Sequence, residues 1–196
     1  MMHAETAGAS KTKKLSAEIN RIITNKLVLH NLLFLDIFAG CARLSEAMKT
    51  KTFQVLPVDA KNNRHTPVVR TVELDLAKRD HQNILLDVVE TEPVAGANLG
   101  PPCGTSSRAR EKPLPAWQIK RGVPQPKPLR DADNLLGLPG LSETDLARVT
   151  TANELYLFCV KFALACIRKQ IPFFYRKPKA LMGLGSYEVL CKATWT

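Results

Sequence analysis

The arrangement best suited to covalent chemistry is Leu99-Gly100-Pro101-Pro102-Cys103-Gly104-Thr105-Ser106-Ser107-Arg108. Two prolines fix the backbone and remove two N–H donors, so the next side chain is presented from a rigid turn. A free thiol of pKa about 8.5 is a few per cent thiolate at neutral pH, and neighbouring cations raise that share. Cys103, followed by a glycine and close to Arg108 and Arg110, is therefore a candidate nucleophile. The alternative for any lone cysteine is a small buried apolar residue.

A second group reads as a ligand cradle. Asp36-Ile37-Phe38-Ala39-Gly40 closes an apolar run on a glycine, where the backbone can turn sharply and approach a ligand. Asp59 follows Gly40 by 19 positions and ends the next apolar run. An acid at that distance accepts hydrogen bonds from ribose hydroxyls in dinucleotide-binding folds, though a turn or helix-cap role is equally open to it. Glu73 and Asp75, after a third run, could face an adenine amino group or solvent. Neither Gly-x-x-x-x-Gly-Lys-Ser/Thr nor Gly-x-Gly-x-x-Gly occurs, which disfavours a phosphate-loop NTPase and a dinucleotide oxidoreductase.

These residues need strand ends to hold them. The predicted strands are Leu32 to Phe38, Phe53 to Val58, Val72 to Leu76, Val94 to Leu99 and Ile171 to Tyr175. Between them lie a helix over Ala42 to Lys49, one capped by Asp80 and carrying Ile84, Leu85, Val88 and Val89, and a long one from Ser142 and Asp145 to about Lys169. A further helix starts at Ser16, with Ile19, Ile22, Ile23 and Leu27 at helical spacing. The alternation predicts an α/β, Rossmann-like, mostly parallel sheet of about five strands with helices on both faces. Residues 1–14 read as a disordered basic tail and 15–196 as one domain. A Pro-rich basic loop interrupts it at 103–140, long enough to be functional or disordered.

The chain of 196 residues carries a net charge of +10, with 45% hydrophobic residues. Basic surfaces favour polyanions, nucleic acid before an anionic membrane. The charge is clustered: Arg108, Arg110, Lys112, Lys120, Arg121, Lys127 and Arg130 stand against Glu111 alone, and Lys161, Arg168, Lys169, Arg176, Lys177 and Lys179 have no acid among them. No uninterrupted apolar run approaches the roughly 18 residues of a bilayer span. The basic N-terminus does not read as a signal peptide. Cysteines 41, 103, 159, 166 and 191 and four scattered histidines form neither a zinc pattern nor a disulfide framework, which fits an intracellular, reducing compartment.

Taken in order, Asp-Ile-Phe-Ala-Gly at 36–40, Val58-Asp59 and Gly-Pro-Pro-Cys at 100–103 resemble the DNA cytosine-5 methyltransferases of the class I S-adenosylmethionine (SAM)-dependent superfamily. The resemblance covers roughly residues 32–110, with a fainter echo at 171–178. It implies a SAM site lined by Asp36, Phe38, Gly40, Asp59, Asp75 and Pro101. Cys103 would be the thiolate that attacks C6 of a flipped cytosine. It also implies a DNA partner gripped by Arg108, Arg110, Lys120, Arg121, Lys127 and Arg176, and a nuclear location if the source is eukaryotic. The chain departs from the pattern at Ala42, where the family has a second glycine, and at Gly104, where it has glutamine. Tyr175-Arg176-Lys177-Pro178 replaces the family's Glu-Asn-Val or Glu-Asn-Pro, and the family's later strands and recognition region would lie beyond Thr196. The departures imply a second possibility, a catalytically degenerate nucleic-acid-binding domain, or one that takes its recognition elements from a separate subunit.

Overall fold

The structure, a computed structural model, describes residues 14–21, 32–61 and 63–176. Residues 1–13 of the expected tail and the helical positions Ile22, Ile23 and Leu27 lie outside these residues, as do Lys177 and Lys179, while Lys14, counted with the tail, is helical. Residues 14–21 are helical, with Ile19 buried.

Five strands form one all-parallel sheet: β1 (Leu33–Ile37), β2 (Gln54–Asp59), β3 (Val72–Glu73), β4 (Val94–Leu99) and β5 (Phe173–Tyr175). Their order is β3-β2-β1-β4-β5, a Rossmann-like α/β arrangement. The central strand, LFLDI, is buried at every position, as a parallel strand covered on both faces must be. Its register pairs Ile37 with Val58 of β2 and with Leu99 of β4, so β1 and β4 end level and β2 runs one residue further, to Asp59. The helices are α1 (Arg43–Thr50), α2 (Arg79–Thr91), the short α3 (Ala116–Lys120) and α4 (Glu143–Arg168). Crossovers of the usual right-handed sense place α1, between β1 and β2, on one face. They place α2 and the end of α4, which lead back to β4 and β5, on the other.

The chain divides into two compact units. The first runs to Gly100 and resumes with Leu157–Tyr175; the second is Pro101–Tyr156, joined by Arg176. The sheet and its apolar interior (Leu35, Ile37, Leu56, Val58, Leu85, Leu99, Phe158 and Phe162) belong to the first. Helix α4 is long and apolar enough, by length and composition, to cross a membrane. Phe158, Cys159, Phe162, Ala163, Ala165 and Cys166 are buried in the first unit's core, which accounts for that composition.

Three expectations shift. Lys78, not Asp80, stands before α2; Asp80 lies inside its first turn, where a carboxylate still meets the positive end of the helix dipole. Strand β3 stops at Glu73, because Asp75 accepts the Ala77 N–H (3.2 Å) and starts a turn. The segment 103–140 holds a 3-10 turn, Arg108–Glu111, and helix α3. Ser142 caps α4 as expected, its hydroxyl oxygen accepting the Asp145 N–H at 3.2 Å.

Candidate functional site

The carboxyl ends of β1 and β2 build the first site. After Ile37 the chain enters a turn with three left-handed residues at alternate positions: Phe38 (φ 63°), Gly40 (φ 58°) and Ala42 (φ 55°). That conformation costs a residue bearing a side chain roughly 1–2 kcal/mol, and it persists only where surrounding contacts impose it. The contacts are backbone hydrogen bonds: Ala39 N–H to Val58 O (3.0 Å), Ala42 N–H to Ala39 O (2.8 Å) and Val68 N–H to Cys41 O (3.0 Å).

Asp59 closes the turn from β2. Its Oδ2 accepts the Gly40 N–H at 2.7 Å and the Asn63 side-chain amide at 3.1 Å, and its Oδ1 accepts the Ala60 N–H at 2.7 Å. Asn63 also donates to Gly40 O at 2.6 Å, clamping the glycine from both sides of its peptide. A carboxylate offers about four acceptor positions. Among the described residues three are filled, and the one left is on Oδ1. Among the described residues, a side chain built on Gly40 would meet within 4 Å only the His65 ring, at 3.9 Å. The three bonds give Asp59 the turn role that its sequence position left open, and the remaining acceptor could take a hydroxyl donor.

Beneath the turn lies Asp36, which is 1% exposed. Its carboxylate accepts from Ser45 Oγ at 2.7 Å and Asn98 Nδ2 at 2.9 Å, tying β1 to α1 and β4. Asp75 stands past the end of β3, exposed, with Lys78 Nζ 3.7 Å from its Oδ2. Of the six residues that the resemblance places at a cofactor, the structure brings Phe38, Gly40 and Asp59 into one turn and sets Asp36 under it. Asp75 is engaged in its own local turn. Pro101 is buried and opens the second unit.

In that second unit Cys103 is exposed, which removes the buried-apolar alternative. The turn around it is held by residues distant in sequence. Tyr156 Oη donates to Pro102 O at 3.0 Å and lies 3.2 Å from Ser106 Oγ. Arg130, counted from sequence among the surface charges, is 7% exposed. Its guanidinium donates to Leu135 O, to Asn153 Oδ1 (2.7 Å), to Val149 O (3.2 Å) and to Thr105 Oγ1 (3.3 Å). It also lies 5.6 Å from the Tyr156 ring centroid. Burial lowers its pKa from the usual guanidinium range, and its Nε has no hydrogen-bond partner among the described residues. Close packing adds a constraint at Gly137 (φ 131°), where a Cβ would sit 2.8 Å from Val149 Cγ1.

The basic residues separate into two kinds. Arg110 is used internally: Nε donates to Lys127 O (2.8 Å), Nη1 to Gly104 O (3.4 Å), and Nη2 lies 3.9 Å from Asp145. Arg168 and Lys169 pair with Glu90 at 3.1 and 3.4 Å, and the Arg168 bond, with help from Lys169, lowers the Glu90 pKa. Lys120, Arg121, Lys127 and Arg176 are exposed. Arg108 opens the 3-10 turn.

Sequence reasoning did not single out Asn63, Arg130, Tyr156 or Trp117. Only Trp117, an aromatic within a basic Pro-rich stretch, carried a signal there. Comparison with protein-family models, with curated proteins and with solved structures gives no match.

Proposed function

We propose that this chain is a SAM-dependent methyltransferase-like domain acting on nucleic acid, with DNA cytosine C5 as the target. The observation that carries the cofactor half is the Gly40–Asp59–Asn63 clamp at the ends of β1 and β2, beside the switch point between β1 and β4. Ligands of open parallel sheets bind at such points, outside the carboxyl ends of the strands. Asp59 Oδ1 would accept a ribose hydroxyl, and the bare Gly40 Cα would let the ligand lie against the turn. SAM supplies an electrophilic methyl group. Cys103, exposed on its rigid turn, supplies a thiolate that adds to a pyrimidine C6 and makes C5 nucleophilic, a step that requires the base to leave the helix stack.

Calorimetric titration with SAM and its demethylated product tests the cofactor site. Micromolar binding is expected. Asp59→Ala should weaken it roughly 10- to 100-fold, the effect of one hydrogen bond to a charged group of about 1.5–3 kcal/mol. Unchanged affinity in Asp59→Ala would remove the ribose assignment.

A second reading has its own observation. Arg176, exposed directly after β5, stands where the resembled family has a glutamate. A unit positive charge about 4 Å from a ring that must gain a proton opposes the step by about 4 kcal/mol at an effective dielectric of 20. That favours a scaffold that binds nucleic acid without methylating it. Cys103→Ser separates the two: it abolishes methyl transfer under the first reading and leaves nucleic-acid binding intact under both.

A further inference from the structure

The Pro-rich loop is a closed structure with an unusual tip. At its base, Arg110 Nε donates to Lys127 O at 2.8 Å. One step further out, the Gln125 side chain bridges both flanks: its Nε2 donates to Lys112 O at 2.9 Å and its Oε1 accepts the Leu114 N–H at 3.0 Å. Pro113, Pro115, Pro124 and Pro126 stiffen the two arms. The tip is α3 with its following turn, where Gly122 (φ 72°) reverses the chain. What this framework displays is apolar and cationic: Trp117 and Ile119 are each 56% exposed, and Val123, Lys120 and Arg121 are exposed beside them. From Lys112 to Arg130 the sequence contains no acid. The Arg121 guanidinium lies 5.3 Å from the Trp117 ring centroid.

Burying a tryptophan is ordinarily favourable, so one held out on a pre-ordered tip is a surface awaiting a partner. The cations require that partner to be anionic. A bilayer fits poorly, because inserting Trp117 would carry the stacked Arg121 charge toward hydrocarbon. A nucleic-acid base fits well: it stacks on an aromatic face, and a guanidinium on the same ring adds to the attraction. A base offers its face only where it is unpaired or unstacked.

We propose that the loop Lys112–Lys127 is a reader of single-stranded or locally unpaired nucleic acid, in which Trp117 stacks on a base while Lys120, Arg121 and Lys127 hold the flanking phosphates. This rests on the nucleic-acid half of the proposed function and names the strand state and the contact residue.

The test uses the full chain carrying Trp195→Phe, so that Trp117 is the remaining indole, titrated with fluorescein-labelled oligo(dT). Expected are quenching of Trp117 emission and a roughly 5- to 100-fold loss of affinity in Trp117→Ala, with Trp117→Phe recovering most of it. Replacing Lys120, Arg121 and Lys127 by glutamine should lower the slope of log affinity against log salt by about 2, at roughly 0.7 per phosphate on single strands. Circular dichroism confirms that each variant is folded. Oligo(dT) binding with no quenching and no effect of Trp117→Ala would overturn the loop assignment and leave the nucleic-acid reading standing. A preference for duplex over oligo(dT) would overturn it too. So would binding to phosphatidylserine vesicles, with a blue shift of Trp117, in place of oligo(dT). Absence of binding to any nucleic acid would remove both proposals.

Discussion

Arg130 is the residue whose loss should be felt most in the second unit, and the size of the effect can be worked out from its partners. Arg130→Met keeps the length of the apolar stem and removes the charge. The guanidinium donates to four oxygens, two on backbone carbonyls and two on the side chains of Thr105 and Asn153. Hydrogen bonds from a charged donor are worth roughly 1.5–3 kcal/mol each, so the gross loss is about 6–12 kcal/mol. Against this stands the release of a buried cation, several kcal/mol even after relaxation. Val149 lies within α4, so its carbonyl keeps a helical partner, which trims the loss further. The balance is a destabilisation of about 2–4 kcal/mol. Urea unfolding followed by far-ultraviolet circular dichroism measures it. Hydrogen exchange should show the amides of Thr105 to Ser107 exchanging faster, since Thr105 loses its anchor. A variant within about 0.5 kcal/mol of the parent, or more stable than it, would mean that the desolvation cost cancels the bonds. Arg130 would then not be what holds the cysteine turn.

Two further outcomes follow from burial and backbone geometry. Ala42→Gly should be close to neutral: relief of the left-handed conformation, about 1–2 kcal/mol, is offset by about 0.4–1 kcal/mol of unfolded-chain entropy and about 0.8 kcal/mol for the buried methyl. A change beyond about 1 kcal/mol in thermal or urea unfolding would show that one of these effects has been misjudged. Burial raises the thiol pKa of Cys159 and of Cys166 from 9.0 to about 12 in the folded chain. Their contribution to stability is complete below pH 9 and declines as pH rises from about 9 to 12, because the unfolded thiols ionise first. Each steepens the fall by up to about 1.4 kcal/mol per pH unit. Unfolding free energies measured across that range should fall less steeply in Cys159→Ala/Cys166→Ala. An identical slope would contradict the assigned burial.

The strands were readable because β1 and β4 are apolar runs that end on glycine, and burial on both faces leaves no polar alternation to confuse them. Strand β3 was not, since Val72 to Leu76 carries the same apolar spacing past Glu73, and only the turn at Asp75 stops it. Gly40 and Asp59 were legible through their distance apart and their positions at strand ends. Asn63 and Arg130 were not, for a shared physical reason. Each is a polar loop residue whose role depends on a partner more than 20 positions away: Gly40 for Asn63, and Thr105 for Arg130. Composition counts Arg130 as a surface charge, and nothing local distinguishes it from Lys120 or Arg121. Ala42 shows the reverse. A missing glycine looked like a departure from the family pattern, yet the structure holds that alanine at a glycine-like φ of 55° with its methyl fully buried.

Because Gln125 and Arg110 fasten the loop at its neck, the two arms already stand side by side where they leave the rest of the unit. Residues 115–124 therefore form a detachable cassette: a short glycine-containing turn from Leu114 to Gln125 could replace them and keep both bonds of the Gln125 bridge. The interaction surface could then be subtracted from the protein in one step, leaving Cys103, Arg130 and the sheet as they are.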